Sequence, residues 1–182
     1  MIDRSGAGAT VWFTGLSGAG KSTLSNALVK LLGERDRCCF QLDGDDLRGG
    51  LNTDLGFTHE DRIESVRRAG EVALLLAKTG HLSLVSLIAP YAAERKIVRE
   101  RHDLLEIPFL LVYVATPIEV CEVRDRKGLY VRARRGELLS FTGVSDPYEA
   151  PDDAELAVHA ESVTPEEEAR QVLAELEARG IA

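Results

Sequence analysis

The stretch Gly15–Ser22, which reads GLSGAGKS, constrains the fold of this chain more than any other feature. It fits the pattern G-x-x-x-x-G-K-[ST], whose glycines let backbone N–H groups close around phosphate oxygens. The lysine of that pattern reaches the β- and γ-phosphates, and its hydroxyl residue takes a position on Mg²⁺. An apolar run, residues 11–13, precedes the stretch and a helix-like pattern follows it. The sequence therefore predicts a strand–loop–helix unit that binds a nucleoside triphosphate.

Length and charge narrow the class of protein. With 182 residues and a mass of 19.9 kDa, a single domain covering residues 1–182 is expected. The net charge of −8 argues against a broad nucleic-acid surface. No secretory signal and no run of membrane-spanning length is found. Three cysteines, two of them adjacent, fit a reducing compartment, so a cytoplasmic enzyme is expected.

Strand-like and helix-like segments alternate along the chain, which predicts an α/β fold with three layers, a mostly parallel sheet flanked by helices. The last helix has its own start signals, with Thr164 as N-cap, Pro165 at the first position and Glu167 completing a capping box. The predicted strands are 9–14, 38–42, 82–88 and 108–114, and the predicted helices are 21–32, 59–78, 91–101 and a last one from 165 that stops at Gly180.

A basic segment around residues 124–150 interrupts this alternation. It is rich in arginine and lysine and has little apolar periodicity. A charge run is often only a solvated face. In a domain that handles phosphate, however, such a segment also suits a mobile lid that neutralises charge and excludes water from the transfer.

Two carboxylates, Asp43 and Asp45, follow the second predicted strand at the edge where open α/β sheets bind ligands. If the extended spacing continues, both point the same way, so that one holds Mg²⁺ while the other accepts a proton from an acceptor hydroxyl. An acidic turn is the alternative. Anion-binding and stacking capacity follows downstream in Arg48, Asn52, Phe57 and Arg62, which favours a negatively charged acceptor.

Six blocks of the sequence together resemble the adenylylsulfate kinase (APS kinase) family, which phosphorylates the 3′-hydroxyl of adenosine 5′-phosphosulfate (APS). The resemblance extends from residue 12 to about residue 150. The first block alone indicates only a P-loop kinase, whereas the set is specific. The blocks are WFTGLSGAGKST (12–23), LDGDDLRGGLNTDLGF (42–57), DRIESVRRAGEVA (61–73), SLIAPY (86–91), RDRKGLY (124–130) and FTGVSDPYEAP (141–151).

The resemblance implies a P-loop kinase fold, ATP and Mg²⁺ as cofactors, APS as a small-molecule substrate, and a homodimer. Asp45 would be the catalytic base, beside Lys21 and Asp43, and the metal would lie at Ser22 and Asp43. The implied ATP contacts are Gly15, Leu16, Ser17, Gly18, Ala19, Gly20, Lys21, Ser22, Thr23 and Arg124. The implied substrate contacts are Asp45, Arg48, Asn52, Phe57, Arg62, Ser65, Ile88, Ala89, Lys127 and Phe141, with the two phenylalanines sandwiching the adenine.

Two positions depart from the family pattern. Ser65 stands where the family usually has asparagine, and loss of that direct hydrogen bond would cost about 1 kcal/mol. Ala89 stands where the family commonly has serine, so the phosphorylated intermediate proposed for that serine cannot form and direct in-line transfer is expected. These departures leave open a related kinase with another nucleotide or metabolite as acceptor. A nucleotide-binding switch is a third reading, although no guanine-specificity motif is present.

Overall fold

The structure, a computed structural model, describes residues 7–125, 127–159 and 163–182. In the described part of the chain, five parallel strands form one sheet in the order β2-β3-β1-β4-β5. The strands are β1 (Ala9–Thr14), β2 (Cys39–Asp43), β3 (Leu82–Ser86), β4 (Phe109–Val114) and β5 (Leu156–Val158). The helices are α1 (Lys21–Gly33), α2 (Gly44–Arg48), α3 (His59–Lys78), α4 (Ala92–Asp103), α5 (Ile118–Arg124), α6 (Leu129–Arg134) and α7 (Pro165–Ala178).

Apolar cores cover both faces of the sheet because alternate residues of β1 point in opposite directions. Val11 and Phe13 pack in the core that holds α1 and α7. Trp12 between them packs in the core of α3 and α4. All three side chains are fully buried. The three-layer α/β fold predicted from the alternation of segments is thus confirmed.

The helices whose ends carry strong sequence signals, α3 and α7, were predicted most accurately. Helix α3 begins and ends where predicted, and a capping box between Thr58 and Asp61 fixes its start. The predicted capping box of Thr164 and Glu167 opens α7. Three short helices, α2, α5 and α6, and the three-residue strand β5 were not predicted, since elements of this length carry too little periodicity to be read from sequence.

The third predicted strand was too long. Strand β3 ends at Ser86, and the chain leaves the sheet through Ala89, whose φ of 43° is left-handed. No helix in the described ranges combines the length and the apolarity that crossing a bilayer requires.

Candidate active site

The predicted phosphate-binding loop, residues 15–20, joins the end of β1 to the start of α1. Gly15 and Gly20 have φ angles of 152° and 113°, conformations that residues with a Cβ avoid. A Cβ at Gly15 would lie only 2.7 Å from the carbonyl oxygen of Val114, so glycine lets the loop pack on β4. The loop presents its backbone N–H groups at the N-terminus of α1, where the helix dipole favours an anion.

Two cations converge on this loop. Lys21 Nζ donates to the carbonyl oxygens of Gly15 at 2.9 Å and Leu16 at 2.7 Å. Burial lowers the pKa of Lys21 to about 8, although Asp43 and Asp45 act in the opposite direction. Arg124 at the end of α5 donates to the carbonyl oxygen of Ala19 at 3.2 Å. Both cations thus lie beside the backbone that is expected to hold phosphate.

Side chains distant in sequence hold the rest of the loop. The Tyr130 hydroxyl, on α6, donates to the carbonyl oxygen of Ser17 at 2.9 Å, and burial raises its pKa. The Thr116 hydroxyl donates to the carbonyl oxygen of Ala19 at 2.8 Å. Sequence analysis did not single out Tyr130 or Thr116. Tyr130 ends the block RDRKGLY, and this membership was the one sequence signal that could have pointed to it, whereas Thr116 lies outside all six blocks.

The metal site was predicted at Ser22 and Asp43. These residues lie in the first turn of α1 and at the end of β2, and their side chains are in contact. The Ser22 hydroxyl donates to Asp43 Oδ2 at 2.5 Å. The described residues contain no cluster of three or more histidine, cysteine or acidic side chains that could enclose a metal. Mg²⁺ is ordinarily held by one or two carboxylates together with substrate phosphates. One hydroxyl and one carboxylate beside a phosphate loop therefore fit Mg²⁺.

The prediction that the extended backbone continues through Asp43 and Asp45 was wrong. Asp43 is the N-cap of α2, and its Oδ1 accepts from the backbone N–H of Asp45 at 2.9 Å. Helix formation begins here because aspartate can cap the free N–H groups of the first turn. Asp45 consequently lies on that turn, with its side chain 70% exposed, and its carboxylate pairs with Lys127 Nζ.

On the acceptor side, Arg48 and Phe57 form a stacked pair. The guanidinium of Arg48 lies 4.0 Å from the centre of the Phe57 ring and donates to the carbonyl oxygen of Gly56 at 3.0 Å. Burial, and then the charge of Arg62, lower the pKa of Arg48. Phe57 is 58% exposed, so its ring is available to a planar ligand.

Arg62 ties α3 to the segment 124–150. Its Nη2 donates to the carbonyl oxygen of Ser140 at 2.7 Å, and its Nε lies 3.4 Å from Asp146 Oδ2. The hydroxyl of Tyr91 donates to the same carboxylate oxygen at 2.9 Å. Burial lowers the pKa of Arg62, and Asp146 opposes that shift. Asp146 and Tyr91 were not assigned roles from the sequence.

Asn52 and Ser65 meet in the interior. Asn52 Nδ2 donates to Ser65 Oγ at 3.0 Å, and both residues are buried. Asn52 Oδ1 has no hydrogen-bond partner within the described ranges. The serine that departs from the family pattern therefore engages Asn52 and leaves a buried acceptor beside it.

Ile88 and Ala89 form the turn after β3. The Thr14 hydroxyl donates to the carbonyl oxygen of Ile88 at 2.6 Å. Ala89 is buried, and its carbonyl oxygen accepts from Arg95 Nη1 at 2.7 Å. This turn lies beyond β3, next to the strand that leads into the phosphate loop.

In its described residues, which leave out residue 126, the segment 124–150 contains more regular secondary structure than its composition predicted. It contains α6, and in the first turn of that helix the N–H groups of Tyr130 and Val131 donate to the Asp125 carboxylate at 3.1 Å each. Phe141 is 9% exposed and meets the Tyr130 ring edge-on, with 4.9 Å between the ring centres. Of the two rings predicted to sandwich the adenine, Phe141 is therefore buried and packed against Tyr130, whereas Phe57 is exposed.

The parallel sheet explains how these residues meet. The phosphate loop follows β1, Asp43 ends β2, and Ile88 follows β3, so all three lie at the carboxyl edge of adjacent strands. A cavity of about 660 Å³ opens nearby, between Leu16, Ile118 and residues 143–148. Of the predicted site residues only Leu16 lines that cavity, so it is not the predicted acceptor pocket.

Comparison with known proteins identifies relatives. A family model described as "Adenylylsulphate kinase" matches residues 7–159. The adenylyl-sulfate kinase of Klebsiella pneumoniae is 51% identical over 156 residues, which cover 86% of this chain and 77% of that protein. That of Paraburkholderia xenovorans is 48% identical over 173 residues, 95% of each chain. A Mycobacterium tuberculosis APS kinase structure in complex with AMPPNP and APS has a TM-score of 0.91 and 45% identity, covering 94% of this chain and 99% of that one.

Proposed function

The chain belongs to the adenylylsulphate kinase family, and from this premise we propose how it transfers the γ-phosphoryl group of ATP to the 3′-hydroxyl of APS. The products are 3′-phosphoadenosine 5′-phosphosulfate and ADP. The contact between Ser22 and Asp43 carries the proposal, because it joins the donor loop to the strand end that leads into Asp45.

The donor phosphates bind at residues 15–23. Backbone N–H groups at the start of α1 donate hydrogen bonds to phosphate oxygens. Lys21 leaves the carbonyl oxygens of Gly15 and Leu16 and donates to the β- and γ-phosphates instead. Arg124 adds a second cation from α5. Ser22 and Asp43 would hold Mg²⁺, which neutralises charge on the phosphates when it is bound.

The transfer is direct and in line. Asp45 accepts the proton of the 3′-hydroxyl, the new bond forms between that oxygen and the γ-phosphorus, and the bond to the β-phosphate oxygen breaks. Ala89 has no hydroxyl that could carry a phosphoryl intermediate. Lys127 pairs with Asp45 and is largely exposed, so it can release that carboxylate and turn to a phosphate oxygen.

The acceptor lies between the two stacking rings and the arginines. Phe57 and Phe141 bound the adenine, Arg48 and Arg62 bind the phosphosulfate, and Ile88 lines the pocket. Asn52 and Ser65 lie behind it as a hydrogen-bonded pair. Residues 124–150 act as the lid, attached to α3 through Arg62.

Three wider assignments belong to the same proposal. Residues 1–182 form a single domain, which one sheet covered on both faces supports. The protein works in the cytoplasm, which its cysteine content favours, and it is a homodimer, as its family resemblance implies. Light scattering of the purified protein tests the dimer, and a monomeric mass would contradict it.

An assay of ADP release tests the activity. ATP and Mg²⁺ are supplied with APS, with adenosine monophosphate, or with no acceptor. We expect turnover that depends on APS. Equal rates with and without APS would refute the proposal, and a preference for adenosine monophosphate would assign another acceptor.

A further inference from the structure

Arg95 on α4 is a buried arginine whose side-chain hydrogen bonds, among the residues that the structure describes, go only to the main chain. Its exposed fraction is 3%, Nη1 donates to the carbonyl oxygen of Ala89 at 2.7 Å, and Nη2 donates to that of Glu149 at 2.7 Å. Its Nε is buried and has no hydrogen-bond partner in the described residues. The two carbonyl groups come from segments 60 positions apart in the sequence, the turn after β3 and the end of the lid.

Arg99, one turn further along α4, differs from Arg95 because it forms an ion pair. It pairs with the carboxylate of Glu155, with Nη2 to Oε2 at 3.0 Å, and lies 3.8 Å from Asp153. A buried charge without a carboxylate partner is costly. Arg95 therefore contributes less as an ion than as a fixed fork that sets the distance between two backbone segments.

The first of these segments is the turn that lines the acceptor pocket. Ala89 has a φ of 43°, a left-handed conformation that is unfavourable for alanine. Its carbonyl group is held by Arg95, and the preceding carbonyl, that of Ile88, is held by Thr14. The strained turn is thus fixed from two sides, and Arg95 supplies one of them.

The second segment is the end of the lid. The N–H of Glu149 donates to the carbonyl oxygen of Pro90 at 2.8 Å, and Glu149 Oε2 accepts from the N–H of Ala92 at 2.6 Å. With the bond from Arg95, Glu149 has three links to residues 90–95. The lid therefore ends on the same turn that lines the pocket.

We infer that Arg95 is a positioning residue for the acceptor, because it fixes the pocket wall at Ile88 and Ala89 relative to the end of the lid at Glu149. Arg95 does not touch the substrate in this role. Its loss loosens the acceptor pocket and leaves the donor loop, which it does not contact, unchanged. The inference rests on the proposed function, since it presupposes that APS binds between this turn and the lid.

The test compares Arg95→Lys with Arg99→Lys, the same substitution one helical turn away. A lysine at position 95 cannot donate to both carbonyls in the fork geometry. We expect the KM for APS to rise about tenfold, which corresponds to the loss of one charged hydrogen bond, and the KM for ATP to stay within about twofold. Arg99→Lys is expected to lower the Tm and to leave both KM values unchanged.

The outcomes separate the two proposals. If the wild-type enzyme shows no APS-dependent turnover, the proposed function fails. If the wild type turns over APS and Arg95→Lys leaves its KM for APS unchanged, or raises both KM values equally, the positioning role is refuted. Should Arg95→Lys fail to fold, Arg95→Gln decides, because a glutamine amide can donate to one of the two carbonyl oxygens but not to both. A KM for APS that rises about tenfold with an unchanged KM for ATP supports the role, and an unchanged KM for APS refutes it.

Discussion

The proposed donor and acceptor halves of this site are built in opposite ways. Nearly all of the donor half is one continuous stretch, residues 15–23, whose lysine folds back onto its own loop, and Arg124 of α5 is added to it. The acceptor half is assembled from α2, α3, the turn after β3 and the lid. Three of its members, Phe57, Asp45 and Lys127, are exposed, whereas Arg62 and Ala89 are buried, as Lys21 is in the donor half.

This difference separates a site fixed by local sequence from one fixed by tertiary contacts. The glycines of the donor loop dictate its backbone conformation, and Thr116, Arg124 and Tyr130 add contacts from distant parts of the sequence. The proposed acceptor pocket depends on contacts such as that between Arg62 and Ser140, 78 positions apart. We therefore expect donor-side changes to act on chemistry and nucleotide binding together. Acceptor-side changes should act on APS binding or on proton transfer and leave nucleotide binding unchanged.

The largest effect is expected from Lys21→Met, which removes the cation inside the donor loop. The kcat should fall about 10³-fold, the scale observed when a preorganised group facing developing charge is removed. Steady-state ADP release measures this. Lys30→Met, the same substitution at an exposed position in the last turn of α1, is the matched control and should leave the kcat nearly unchanged. Comparable losses in the two variants would contradict the dominance of Lys21.

Asp45→Asn should lower the kcat about 100-fold, because a general base usually contributes this much. The affinity for a non-hydrolysable ATP analogue, measured by calorimetry, should change little. Asp46→Asn removes the same charge from the adjacent exposed position and serves as the control. Near-normal turnover of Asp45→Asn would place the base elsewhere.

The pH dependence of ATP binding reports on the buried Lys21. Its pKa of about 8 lies below the ordinary value of 10.5, so the charge that attracts phosphate is lost as the pH rises through 8. Between pH 7 and pH 9 the affinity for ATP should fall about tenfold, since about a tenth of Lys21 remains protonated at the upper limit. Arg does not titrate in this range, so Lys21→Arg should bind without that inflection. An identical pH profile in both proteins would show that another group titrates.

The smallest effect is expected at Ser65. Ser65→Asn extends the polar group on α3 and should lower the KM for APS about fivefold, the worth of one neutral hydrogen bond. The KM for ATP should not change. Ser65→Ala, which only removes the hydroxyl from Asn52, should give no such gain. If both variants bind APS alike, Ser65 does not influence the acceptor.

Prediction from sequence succeeded where the signal was local or repeated. The 20-residue helix α3 and the capping box of Thr164 and Glu167 follow from periodicity and cap chemistry. Prediction failed for the backbone at Asp45. Extended spacing was expected there, but Asp43 caps the five-residue helix α2. The contacts that Arg95, Asp146 and Tyr130 make span the chain, so their sequence neighbours carry no sign of them.

The sequence by itself determined the phosphate loop, the family and the three-layer α/β fold, because each rests on residue types at fixed short spacing. Only the tertiary structure decided how Asp45 is presented, which partner meets Lys127, and that one buried arginine links the pocket wall to the lid. The physical reason is the parallel sheet. Its crossovers bring distant strand ends to one edge, and the distances there are set by packing that no local pattern records.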